Sequence, residues 1–128
     1  MEEELYKQNI LDHYKNPHNK GVPASFDLEQ VGINPSCGDS LTLYLSFDDT
    51  GCISTLSFAG EGCAISQAAA SMLTEKVRGM RINEARLLTP GDVYTMLGIT
   101  ISPGRTKCAL LAYKALTQAL ENYSKKNT

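Results

Sequence analysis

This chain predicts an α+β domain, in which an antiparallel sheet of about three strands is covered on one face by helices. Three observations carry that expectation. Apolar and polar residues alternate cleanly from Leu41 to Phe47, and the turn residues Asp48-Asp49-Thr50-Gly51 lead into a second apolar run. After Gly60-Glu61-Gly62 the apolar spacing changes from two to that of a helix. Strands therefore come first and helices afterwards. An antiparallel sheet built this way leaves one face wet.

The elements follow in order. From about 3 to 16, Tyr6, Ile10 and Tyr14 recur at fourfold spacing with Leu11 beside them, a helical stripe that Pro17 terminates. His13 falls on the surface of that helix, and Asn16-Pro17-His18-Asn19-Lys20-Gly21 reads as a turn. A weaker strand covers Glu29 to Asn34. In the strand from Leu41 to Phe47, Leu41, Leu43, Leu45 and Phe47 share one face and Thr42, Tyr44 and Ser46 the other. Ile53 to Phe58 returns as the second arm of a hairpin. Cys52 opens that arm with the parity of Leu56 and Phe58, which makes it a packing residue.

Ile65, Ala68, Ala69, Met72, Leu73 and Val77 then define a helix that Gly79 ends. Thr89-Pro90-Gly91-Asp92 is an N-cap with proline at the first helical position, opening a short helix that Gly98 closes. A last helix holds Leu111, Ala112, Ala115, Leu116, Ala119, Leu120 and Tyr123, with Cys108 in its first turns and a fraying tail from Ser124.

With 128 residues, 42% of them hydrophobic and 20% charged, the chain fits one folded domain spanning 1–128. A net charge of −2 with scattered basic residues excludes the electrostatic footprint of a nucleic-acid binder. The opening Met1-Glu2-Glu3-Glu4 has the wrong sign for a signal peptide, and no apolar run is long enough to span a membrane. The expected compartment is the cytoplasm. There, four cysteines point to metal binding or thiol chemistry rather than disulfides.

Cys37-Gly38-Asp39 places a thiol and a carboxylate two residues apart on extended chain, hence on one side. Gly38 between them permits a bend or a close ligand. Cys63 directly precedes a helix and Cys108 follows Ser102-Pro103-Gly104, so both thiols sit where unpaired N–H groups favour the thiolate. Three cysteines and one aspartate make a four-donor set whose count suits tetrahedral Zn²⁺ or the iron of a [2Fe-2S] cluster. The spacings between them are long, so local pattern leaves their convergence open.

Four segments occur in order. They are Asn16-Pro17-His18-Asn19, Asn34-Pro35-Ser36-Cys37-Gly38-Asp39, Phe58-Ala59-Gly60-Glu61-Gly62-Cys63-Ala64-Ile65-Ser66 and Pro103-Gly104-Arg105-Thr106-Lys107-Cys108-Ala109. Together they resemble the NifU N-terminal, IscU and SufU family of iron-sulfur cluster assembly proteins. The resemblance implies an α+β scaffold that accepts sulfur from a cysteine desulfurase and passes its contents to a downstream apo-protein or carrier. It implies a site at one exposed end of the fold, with Cys37, Asp39, Cys63 and Cys108 holding zinc, iron or a [2Fe-2S] cluster and Cys37 as sulfur acceptor. A monomer or weak dimer is expected.

Gly62-Cys63-Ala64-Ile65-Ser66 and the Arg105 to Cys108 spacing are similar to the SufU branch, whose members bind zinc and accept sulfur. Residues 79 to 102 are too short to contain that branch's usual insertion, and Lys107 stands where the IscU branch has a histidine ligand. An alternative is therefore a zinc-dependent sulfurtransferase that relays sulfur without assembling a cluster. A third reading, a structural metal in an interaction module, fits poorly with so ample a core. His13 and His18 lie outside the motif cluster and are not expected to coordinate. Arg105 and Lys107 are candidates to offset thiolate charge or to contact a desulfurase.

Overall fold

A computed structural model describes residues 2–35 and 38–126. Helix α1 (Glu2–Lys15) stops just short of Pro17, whose ring disfavours helical geometry in the residue before it. Strands β1 (Leu28–Asn34), β2 (Asp39–Phe47) and β3 (Ile53–Glu61) form one antiparallel sheet in the order β1-β2-β3. The expected α+β class and three-stranded sheet are thus the observed ones.

The alternation along β2 sets the core. Leu41, Leu43 and Leu45 turn inward with Leu56 and Phe58 of β3, and all five are at most 2% exposed. Each such side chain contributes about 1.5–3 kcal/mol by leaving water. Helices α2 (Ala64–Val77) and α6 (Leu111–Lys126) cover this face, where Leu73, Val77, Leu116 and Leu120 meet the sheet residues. Gly32 of β1 lets α6 approach, since a Cβ there would stand 3.1 Å from that of Ala115.

One register shift corrects the reading of Cys52. Phe47 pairs with Ile53 after Ser46 pairs with Thr55, so β3 carries one extra residue. The bulge turns Ile53 inward in place of Cys52, which stays half-buried in the hairpin turn. There its N–H donates to Asp48 Oδ1 at 3.0 Å.

On the far side of α2, a second cluster gathers Ile10, Ala68, Ala69, Met72, Val93 and Leu97 from α1, α2 and α4 (Pro90–Leu97). Helix α2 is enclosed from both sides. Helix α4 has the expected N-terminus: Thr89 Oγ1 accepts the Asp92 N–H, and Asp92 Oδ2 accepts the Thr89 N–H at 2.8 Å. Gly98 then closes it at φ 72°.

The α1 stripe packs differently from the fourfold reading. Ile10 and His13, three residues apart, share the buried face, while Tyr6 and Tyr14 lie half-exposed on the flanks. His13 is therefore not a surface residue. It faces the Ser71 hydroxyl of α2. Two single-turn helices, α3 (Ile82–Ala85) and α5 (Thr106–Ala109), were not expected. Cys108 belongs to α5, because non-helical geometry at Leu110 separates it from α6. Helix α6 also continues through Ser124 to Lys126, so the expected tail is helical over its described residues, and the Ser124 hydroxyl accepts a hydrogen bond from Arg86.

Candidate metal centre

Three strand ends meet at one end of the sheet: β1 finishes at Asn34, β2 begins at Asp39, and β3 finishes at Glu61. Asn34 and Asp39 are register partners. Asp39 keeps the parity of Leu41 and Leu43, so its carboxylate points to the inner side and is only 4% exposed.

Gly62 and Cys63 carry the chain from β3 into α2, with Cys63 as the N-cap residue. The Cys63 N–H donates to Asp39 Oδ1 at 3.2 Å, giving one unpaired donor of the helix start a carboxylate acceptor. Gly62 makes this approach possible, because a Cβ there would lie 2.9 Å from Asp39 Cγ and would run into Ser66 Oγ. Ser66 donates its hydroxyl to the Cys63 carbonyl at 3.1 Å, and the Cys63 thiol lies 3.8 Å from that hydroxyl.

A 3₁₀ turn, Pro103–Arg105, delivers α5 and Cys108 to the same end. Cys108 is 4% exposed, and the Asn34 amide points at its sulfur from 3.8 Å. The carboxylate of Asp39 and the sulfurs of Cys63 and Cys108 all lie within 4.8 Å of one another. Donors around one tetrahedral ion stand roughly 3.5 Å apart, so about an ångström of side-chain movement would close this group on an ion.

Among the described residues, Cys52, Cys63 and Cys108 form no disulfide with one another, and Cys52 stays in the hairpin turn away from this group. Cys37, expected as a fourth donor, lies outside the described residues. Two soft sulfurs beside one carboxylate oxygen are a donor set that fits zinc or iron. The expectation of a solvent-facing site needs one adjustment: among the described donors, Cys63 is half-buried and the other two are buried. Arg105 lies with Ile65, Ile99 and Ile101 on one flank, and Lys107 with Ile33, Asn34 and Pro35 on another.

Asn34 and Ser66 were not singled out from sequence. Asn34 carried a signal, since it holds the inward parity of β1 opposite Asp39. Ser66 reads as an ordinary first-turn serine.

The description of the NifU-like N-terminal domain matches residues 5–128. The chain belongs to that family. The NifU-like chain is 36% identical to a protein of Bacillus subtilis named zinc-dependent sulfurtransferase SufU, over 91% of this chain and 89% of the relative. It is 35% identical to the iron-sulfur cluster assembly scaffold protein IscU of Thermotoga maritima, over 94% and 96%. A crystal structure from Fervidobacterium islandicum, described as a candidate iron-sulfur cluster assembly scaffold protein for the SUF system, superposes with a TM-score of 0.75. It covers 94% of this chain and 99% of its own at 29% identity. A NifU-like N-terminal protein of Brucella abortus shares the fold, with a TM-score of 0.78 at 20% identity over 97% of both chains. Among the described residues, no helix is long and apolar enough to cross a membrane.

A second group of side chains able to ligate a metal lies between α1, the turn that follows it and α2. His13, His18 and Glu75 offer ligand atoms within 4.8 Å of one another. Burial first, and then the charge of His18, hold the His13 imidazole below its ordinary 6.5, against the opposing pull of Glu75 and Asp12.

Proposed function

We propose that residues 1–128 act as one iron-sulfur cluster assembly scaffold and sulfur acceptor. The observation that carries this reading is the approach of Asp39, Cys63 and Cys108, drawn from three separate elements, to within 4.8 Å of one another. Its IscU and SufU relatives cover nearly the whole chain and support the same role.

In this reading Cys37 joins Asp39, Cys63 and Cys108 to hold zinc, iron or a [2Fe-2S] cluster, and the partner is a cysteine desulfurase. The Cys37 thiolate attacks the outer sulfur of the desulfurase persulfide. The S–S bond of the donor breaks, the desulfurase cysteine leaves as thiolate, and Cys37 carries the new persulfide, with no net redox change. The reducing cytoplasm is the setting that keeps these thiols available. Asp39 is the one hard oxygen donor among soft sulfurs, which loosens the site's hold on its iron-sulfur cargo and favours hand-over to an apo-protein.

One relative's name favours a second reading, a zinc-dependent sulfurtransferase that relays sulfur and builds no cluster. Metal analysis of protein purified without oxygen, paired with desulfurase assays and cluster reconstitution, separates the two. Iron and sulfide retained after reconstitution support the scaffold, whereas tight zinc with sulfur transfer and no cluster supports the relay. In either case Cys37→Ala should abolish sulfur acceptance while Cys52→Ala retains it. The opposite pattern overturns the assignment of the acceptor.

A further inference from the structure

The thiol group sits at the N-terminus of α2, and Glu75 lies twelve residues along the same helix, roughly 18 Å away at 1.5 Å per residue. We propose that His13, His18 and Glu75 form a separate site for one divalent first-row transition ion, zinc or ferrous iron.

Three segments build this site. His13 comes from the buried face of α1, His18 from the turn that follows Pro17, and Glu75 from the exposed side of α2 near its C-terminus. Two imidazoles and one carboxylate suit ions of the zinc and iron type, and three protein donors leave further positions open to solvent or a partner's ligand.

The positions are fixed from behind. Ser71 Oγ lies 2.7 Å from His13 Nδ1 and accepts the His18 backbone N–H at 2.7 Å, so one hydroxyl ties both histidines to α2. With His13 Nδ1–H donated to Ser71, its Nε2 lone pair becomes the ligand atom, the tautomer control usual for metal-binding histidines. The two rings stand 4.5 Å apart between centroids.

His18 Nδ1 and Glu75 Oε2 are 2.6 Å apart, closer than two donors around a common ion. At metal–ligand lengths of about 2.0–2.2 Å, such donors sit roughly 3.3 Å apart, so the pair must open by less than an ångström. Both side chains are more than half exposed and free to do so, while buried His13 supplies the fixed point.

The test is a Zn²⁺ titration of the metal-free, full-length chain, followed by the ring ¹⁵N resonances of His13 and His18 and by bound-metal stoichiometry. Site-specific resonances keep this outcome independent of what the cysteine group does. The expected result is that both histidines shift together with one equivalent of zinc. In His18→Gln, which keeps the backbone N–H to Ser71, that equivalent should bind at least tenfold more weakly with an unchanged circular dichroism spectrum. Glu75→Gln should weaken it in the same direction. Ring resonances that stay put through saturation, or an equivalent that persists unchanged in His18→Gln, overturn the proposal.

Discussion

Asp39 Oδ1 accepts the backbone N–H of Cys63 at 3.2 Å, joining the first residue of β2 to the residue that starts α2. One carboxylate thereby acts twice: it anchors the helix start and stands among the donors of the candidate metal group. Replacing it with alanine removes both roles at once.

Asp39→Ala leaves an all-sulfur donor set at the described site. Because a hard oxygen suits iron-sulfide cargo less well than thiolate, a reconstituted cluster should persist longer and transfer more slowly, on the order of tenfold. The rate of cluster transfer to an apo-ferredoxin measures this. Transfer as fast as that of the unaltered chain sinks the argument that Asp39 keeps the site labile.

Gly62→Ala pushes a methyl group against Asp39 and Ser66. A cost of about 1–3 kcal/mol in denaturant unfolding is expected, as for other overpacked positions, together with weaker zinc binding. Gly104→Ala is the matched control, because its Cβ meets nothing within 4 Å. It should stay within about 0.5 kcal/mol.

The hairpin turn has an acid-sensitive anchor. Asp48 Oδ1 accepts the Thr50 hydroxyl at 2.7 Å, the Thr50 N–H at 2.9 Å and the Cys52 N–H at 3.0 Å. The Thr50 hydroxyl first, and then the Cys52 N–H, hold its carboxyl below the ordinary 3.8. A folded-state value below the unfolded one means the carboxylate stabilises the fold above 3.8, and that contribution fades as pH falls through the lowered value. Carboxyl ¹³C titration should show a low Asp48 midpoint that rises in Thr50→Ala. An unmoved midpoint rejects the hydroxyl as the main cause.

Phe58→Ala removes the largest of the fully buried side chains. Unfolding free energy should drop by about 3–5 kcal/mol, since the leucines around it belong to strands and helices that cannot collapse into the gap. A loss below about 1 kcal/mol would mean the sheet and α2–α6 layers close up freely.

Period and punctuation made most of the fold readable. Leu41 to Phe47 alternated as they pack, and Thr89-Pro90-Gly91-Asp92 announced the α4 cap because both partners are local. What escaped was decided at a distance. A bulge set by pairing with Phe47 moved Cys52 off the inner face, and Ser71, far along the chain, drew His13 into the interior. Single turns such as α3 and α5 are too short for a periodic signal. At the metal centre, donor types were legible, but the approach of Cys63 to Cys108 depends on how α5 packs against α2, which no local pattern encodes.

Ala68, Ala69 and Ala70 have no exposed surface at all, and they lie on consecutive sides of the one helix that both core clusters share. Side chains this short set the thickness of the molecule. A bulkier residue at any of the three would wedge neighbouring layers apart, carrying the strain along α2 to Cys63 at one end and Glu75 at the other. Residues larger than serine in this stretch are therefore expected to destabilise the fold, whereas exchange of the exposed Leu87 or Val22 should cost little.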